Sequence, residues 1–109
     1  MLRLNADKVD LKAKLDTGSE FCIFERTYAE ALGLPIEGGL RAVFSTATGR
    51  FVAFGHWVTI SSFGFDLDTF AYFAEQPEFN RNVLGMCGWI DRFQVGVEHH
   101  SSKLFLNKL

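Results

Sequence analysis

From Val9 onward the chain alternates: Val9, Leu11, Ala13 and Leu15 fall on one side, and Lys8, Asp10, Lys12 and Lys14 on the other. A period of two predicts a strand with one face in the core and one in water. Leu2 and Leu4 supply a partner strand, with residues 5–8 as the turn, because Asn and Asp tolerate turn conformations. Phe21-Cys22-Ile23-Phe24 is apolar throughout and predicts a short buried strand. The period changes over 25–32, where Tyr28, Ala31 and Leu32 share a helical face. Gly33 is placed to cap that helix, and Leu34-Pro35 cannot continue it. Residues 40–45 and 51–60 are β-rich arms around Thr46-Ala47-Thr48-Gly49, a long hairpin with a small polar tip. A further strand is predicted over 63–73, a polar loop over 76–82, and a short buried run at Val83-Leu84-Gly85. Residues 86–93 suit one or two helical turns. Alternation returns at Phe93, Val95 and Val97, and a last strand follows at 103–106, after a turn at 98–102. Seven or so strands with two short helices make a mainly β single domain.

Composition narrows the function classes. A chain of 109 residues, 48% hydrophobic and 22% charged, is long enough to bury one core and too apolar to be disordered. Its net charge of −2 gives no general attraction for nucleic acid or an anionic membrane. No apolar run approaches the roughly 18 residues a membrane span needs, and Met1–Asn5 has no signal-peptide architecture, so a cytoplasmic location is expected. The 12 phenylalanines favour pleated, half-buried surfaces. Cys22 and Cys87 are compatible with one disulfide or two reduced thiols; neither sits in a C-x-x-C pair that would suggest zinc. No metal or other cofactor is expected.

The segment richest in chemistry is Asp16-Thr17-Gly18-Ser19. Read plainly it is a polar turn after a strand, with Asp bonding its own backbone and Gly opening the turn. Its setting is more specific, because an apolar strand runs straight into it and an apolar run leaves it. Asp66 and Asp68 stand two apart on a predicted strand and read as solvated residues of one face. His99 and His100 fall in a turn, and His56 beside Trp57 reads as structural or surface.

Taken together, four features in order resemble the retropepsin-like aspartic protease family. Residues 13–19 look like its catalytic strand and loop, and 28–34 like the helix that often follows. The hairpin with its tip at 46–49 stands where the family has a flap, and Val83-Leu84-Gly85 resembles its second signature. The resemblance implies a single-lobe acid-protease domain over residues 1–109, a closed β-barrel with a flap hairpin and one or two short helices. It implies that Asp16 is the catalytic carboxylate, supported by Thr17, Gly18 and Ser19. In the family, the residue matching Thr17 bonds across to the partner lobe and the one matching Ser19 bonds the catalytic Asp. The flap and substrate-binding residues would be Thr46, Ala47, Thr48 and Gly49, with Val43, Phe44 and Phe51 as candidate flap faces.

This chemistry needs two carboxylates around one water, one acting as general base and the other as general acid. A single Asp-Thr-Gly supplies one of them, so the resemblance implies a homodimer in which each Asp16 meets its mate on a two-fold axis. The substrate would be a peptide or an unfolded protein lying extended in the cleft. The sequence departs from the family pattern at three places, one being the flap tip, which lacks the glycine-rich run of viral members. Only Met1–Leu4 precede the first turn, where viral members carry an interface segment, and Gly85-Met86-Cys87 lacks the arginine that often follows the second signature. A second function class therefore stands beside the first: a protease-like fold serving as a non-catalytic peptide-binding or dimerisation module. The first is favoured by the intact Asp-Thr-Gly-Ser.

Overall fold

The N-terminal alternation folds as a hairpin followed by a crossing segment. In the computed structural model, which describes residues 1–109, β1 (Leu2–Leu4) pairs antiparallel with β2 (Asp7–Val9). Leu4 lies opposite Asp7, so only Asn5 and Ala6 form the turn, tighter than the four residues expected. Asn5 has φ 54°, a left-handed conformation its short polar side chain tolerates. Residues 10–13 join no ladder, and pairing resumes at β3 (Lys14–Leu15). The in-out alternation persists all the same. Val9, Leu11, Ala13 and Leu15 pack on the core while Lys8, Asp10, Lys12 and Lys14 stay exposed.

The remaining elements are β4 (Ile23–Phe24), α1 (Arg26–Ala31), β5 (Leu40–Thr46), β6 (Gly49–Ser62), β7 (Phe65–Ala74), β8 (Val83–Leu84), β9 (Phe93–Glu98) and β10 (Lys103–Lys108). Eight strands form one sheet in the order β2-β1-β6-β7-β4-β8-β3, with β5 added against β6. The sheet curls as a half-barrel, and its end strands β2 and β3 are joined through residues 10–13 rather than by a ladder. Strand β6 organises it. Its first half carries β5 outward as the arms of a hairpin, and its second half meets β1. Strand β7 runs beside β6 from the Ala53–Ala74 pair to the Ser62–Phe65 pair. The β6–β7 turn is Phe63-Gly64, with φ 51° and 79°, so Phe63 belongs to the turn and not to the strand expected to start there.

Helix α1 closes one end of the sheet. Leu34 N–H bonds Ala29 O at 3.1 Å and Gly33 N–H bonds Glu30 O at 3.0 Å, the paired pattern that satisfies a helix C-terminus. Gly33 takes φ 70° there, where a side chain would be strained. The buried face is Ala29 and Leu32; Ala31, expected on it, is exposed. The helix is anchored by Arg26, whose guanidinium forks onto Glu37 at 2.9 and 3.0 Å and donates to Glu75 O at 3.1 Å. This pairing holds the Glu37 carboxyl below its ordinary value of 4.5.

The core lies inside the curl. Trp89, Phe24 and Phe73 are its largest wholly buried side chains. Thr69 is a fully buried polar residue, and its hydroxyl donates to Gly88 O at 2.8 Å. An unmet hydroxyl there would cost about 1–3 kcal/mol. Residues 86–93 hold one 3-10 turn, Ile90–Arg92, because Gly88 at φ 105° breaks any longer helix. Strands β9 and β10 form a separate two-stranded sheet. Its inner end packs on the core through Phe93, Val95 and Leu106. Further out, Val97 faces Leu104 across the ladder, and Val97 is 69% exposed. No helix is long and apolar enough to cross a membrane.

Candidate active site

Strand β3 delivers Asp16 to the wall of a cleft. It pairs parallel with β8, Lys14 opposite Val83 and Leu15 opposite Leu84. Lys14 N–H bonds Asn82 O at 2.8 Å, and Asp16 N–H bonds Leu84 O at 3.1 Å, so the ladder runs up to Asp16 itself. Beyond it the chain turns sharply. Gly18 N–H donates to Asp16 Oδ1 at 2.9 Å and Ser19 N–H to Asp16 O at 3.1 Å. A backbone donor on a carboxylate oxygen fixes its orientation and leaves the other oxygen free. Thr17 is exposed on the turn. The Ser19 hydroxyl, expected on the Asp16 carboxylate, donates instead to Phe21 O at 2.7 Å and ties the loop to the strand that leaves it.

Val83-Leu84-Gly85 forms the bed under this loop. Val83 and Leu84 are buried. Gly85 is required by close approach: a Cβ there would overlap the Phe21 carbonyl and stand 2.8 Å from Ser19 O. Beyond it, Met86 N–H bonds Ser19 O at 2.9 Å and Cys87 N–H bonds Glu20 O at 2.7 Å. The loop carrying Asp16 is therefore held from both sides by backbone. Cys22 and Cys87 are both free thiols; Cys22 is buried, which pushes it up to about 11, and Cys87 is exposed.

The hairpin of β5 and β6 overhangs the site. Thr46 lies opposite Gly49, so the tip is Ala47-Thr48. The Thr46 hydroxyl donates to Gly49 O at 3.1 Å and accepts from Thr48 N–H at 3.3 Å. Thr46, Ala47, Thr48 and Gly49 are all exposed. The arms are fixed by aromatic contacts. Phe44 stacks on Phe51 at 5.3 Å and meets Tyr72 edge-on at 5.1 Å, and Phe51 meets Phe79 at 4.7 Å. Between hairpin and loop lies a cleft of about 520 Å³ that brings together Asp16, Gly18, Ser19, Val43, Phe44 and Thr46. Phe51, Glu20 and Arg81 also border it. Arg81 and Glu20 carry no motif in the sequence; the one available hint was a cation in the polar loop just before Val83.

Other candidates lie elsewhere. Asp68 accepts from Thr59 at 2.7 Å, while Asp66 accepts from Ser61 at 2.6 Å and pairs with Arg3 at 3.1 Å. Both are exposed on β7. The Asp66 carboxyl is held low first by Ser61 and then by Arg3. His56 Nε2 lies 2.8 Å from Ile36 O and has a structural part, linking β6 to the segment after α1. His99 and His100 are exposed in the β9–β10 turn. No three His, Cys, Asp or Glu side chains converge.

A curled half-barrel that presents Asp-Thr-Gly on a braced loop beneath a hairpin is the single-lobe acid-protease architecture. The sequence profile described as "Aspartyl protease" matches residues 1–87, and the chain belongs to that family. Among solved structures, EIAV protease complexed with the inhibitor HBY-793 is similar at 22% identity over 68% of each chain, with a TM-score of 0.53. That likeness shows a shared retropepsin-like fold. No curated protein matches the sequence.

Proposed function

We propose that the chain is an aspartic endopeptidase that acts as a homodimer, with residues 1–109 forming one lobe. The observation that carries this reading is Asp16: a half-exposed carboxylate, oriented by Gly18 N–H, on the floor of an open cleft, and present once per chain. A second copy brings a second Asp16. An isologous contact puts identical residues face to face on its axis, so the two carboxylates meet around one water. Two such groups at close range hold one proton between them. The ionised one takes a proton from the water as it attacks the peptide carbonyl, and the protonated one donates to the carbonyl oxygen.

The other site residues have supporting parts. Thr17, exposed on the turn, is available to the partner, while Ser19 and Gly85 keep the loop from shifting. The hairpin tip, Thr46 to Gly49, closes over an extended peptide and excludes bulk water. Val43 and Phe44 offer apolar surface to its side chains. The protruding pair Val97 and Leu104 supplies apolar surface for a second copy to cover.

The test is Asp16→Asn, which keeps the shape of the loop and removes the charge. The variant is expected to fold and self-associate like wild type but to lose cleavage of an unstructured protein at mildly acidic pH. Equal cleavage by both proteins would remove Asp16 as the catalyst.

A further inference from the structure

Arg81 stands where three cavities meet. It borders the Asp16 cleft, a second cavity of about 390 Å³ against the hairpin tip, and a third of about 400 Å³ shared with Lys12 and Lys14. All three have Arg81 in their walls, and the third lies beside Lys14 of β3. Asp16 and Glu20 are the acids on the inner, cleft side of Arg81, and Lys12 and Lys14 are cations on its outer side, with no carboxylate among the residues lining the third cavity.

Arg81 is exposed, and no ion pair within the chain uses its charge. Every ion pair of an arginine within the chain belongs to Arg3, Arg26 or Arg92. The guanidinium carbon lies 5.8 Å from the centre of the Phe79 ring, which is itself packed edge-on to Phe51 in the hairpin arm. A guanidinium laid on an aromatic face keeps its N–H edge available for a planar bidentate partner, and a carboxylate fits that edge.

We propose that Arg81 is a specificity residue that selects peptides carrying a carboxylate a short distance from the bond to be cut. The proposal rests on the protease reading of the Asp16 cleft and adds a substrate class to it. The acids on the inner side repel the same carboxylate, so the acidic group is directed outward to Arg81, and the peptide is set in one register. The carboxylate can come from an Asp or Glu side chain or from the peptide's C-terminus.

The test uses quenched fluorescent peptides that differ only by Glu, Gln or Lys at each position flanking the cut, each with a free or an amidated C-terminus. In wild type one Glu position is expected to raise kcat/KM about tenfold or more, mainly through KM, as charge-assisted hydrogen bonds do. In Arg81→Gln the Glu-to-Gln ratio should fall to about one, and Arg81→Glu should turn the preference toward Lys. A preference abolished by amidation assigns the carboxylate to the C-terminus; one that survives assigns it to the side chain. Binding of the same peptides to Asp16→Asn, with and without Arg81→Gln, is measured by fluorescence anisotropy. A Glu preference in binding without any cleavage in wild type would sink the protease reading and leave the Arg81 site standing. Equal binding of Glu and Gln peptides, or a Glu preference that survives Arg81→Gln, would overturn the Arg81 assignment.

Discussion

Replacing Gly85 with alanine adds one methyl group to the bed beneath the Asp16 loop. That carbon would overlap the Phe21 carbonyl and lie 2.8 Å from Ser19 O, both backbone groups that cannot rotate away. Alanine stiffens the unfolded chain, which favours folding by about 0.4–1 kcal/mol. Forcing an extra methyl into packed surroundings costs about 1–3 kcal/mol, toward the upper end where the neighbours are backbone. The clash wins, with a net loss of about 2 kcal/mol. In urea this moves the unfolding midpoint down by about 1 M, and on heating by roughly 10 °C. The strain is relieved by moving residues 19–21 outward, and they carry the loop. A displacement of about 1 Å at the reacting groups is worth about a hundredfold in rate. Gly96→Ala is the control, since its new carbon meets Phe105 Cβ at an ordinary 3.5 Å. It should stay within about 0.5 kcal/mol of wild type. Equal urea midpoints and equal cleavage for Gly85→Ala and Gly96→Ala would refute the reasoning.

Three further outcomes are expected. Glu37, held low by Arg26, contributes stability above its ordinary value of 4.5 and loses it as the pH falls through its folded value. Glu37→Gln should therefore lower the urea midpoint at neutral pH, with the gap closing on acidification; a gap independent of pH would contradict this. A maleimide at neutral pH should label exposed Cys87 and spare buried Cys22 until urea is added, as mass spectrometry of the adducts would show; two adducts on the native protein would count against the packing described. Val97→Asp should leave the fold intact by circular dichroism but shift sedimentation toward the monomer and reduce cleavage with it. Unchanged sedimentation would place the interface elsewhere.

Much of this was legible in the sequence, and the misses have physical causes. The alternation from Val9 to Leu15 correctly named the buried face, because period reports burial. It could not show that residues 10–13 leave the ladder, since an unpaired crossing segment over the same core keeps the same pattern. The strand predicted over 63–73 includes Phe63, yet Phe63 sits at φ 51° in a turn with Gly64. Helix α1 spans only Arg26–Ala31, too short for its period to fix the buried face, and tertiary packing chose Ala29 over Ala31. At the site, Asp16, Gly18, Val83 and Gly85 were visible as motif residues. The turn of the Ser19 hydroxyl toward Phe21 O was not, because it depends on which carbonyl the folded loop presents. Arg81 left no pattern at all; two of the cavities it borders exist only once the hairpin lies beside the 76–82 loop and the Asp16 loop, and the third needs that 76–82 loop against residues 12–14.

The central claim is that two chains share one site, and subunit mixing tests it most directly. Wild type is equilibrated with Asp16→Asn at constant total concentration, and cleavage is followed as the wild-type fraction falls. A site built from both Asp16 side chains is active only in wild-type pairs, so equal amounts should retain about a quarter of the activity. Retention of about half, in proportion to the wild-type chain present, would mean that each chain works alone and would contradict the account.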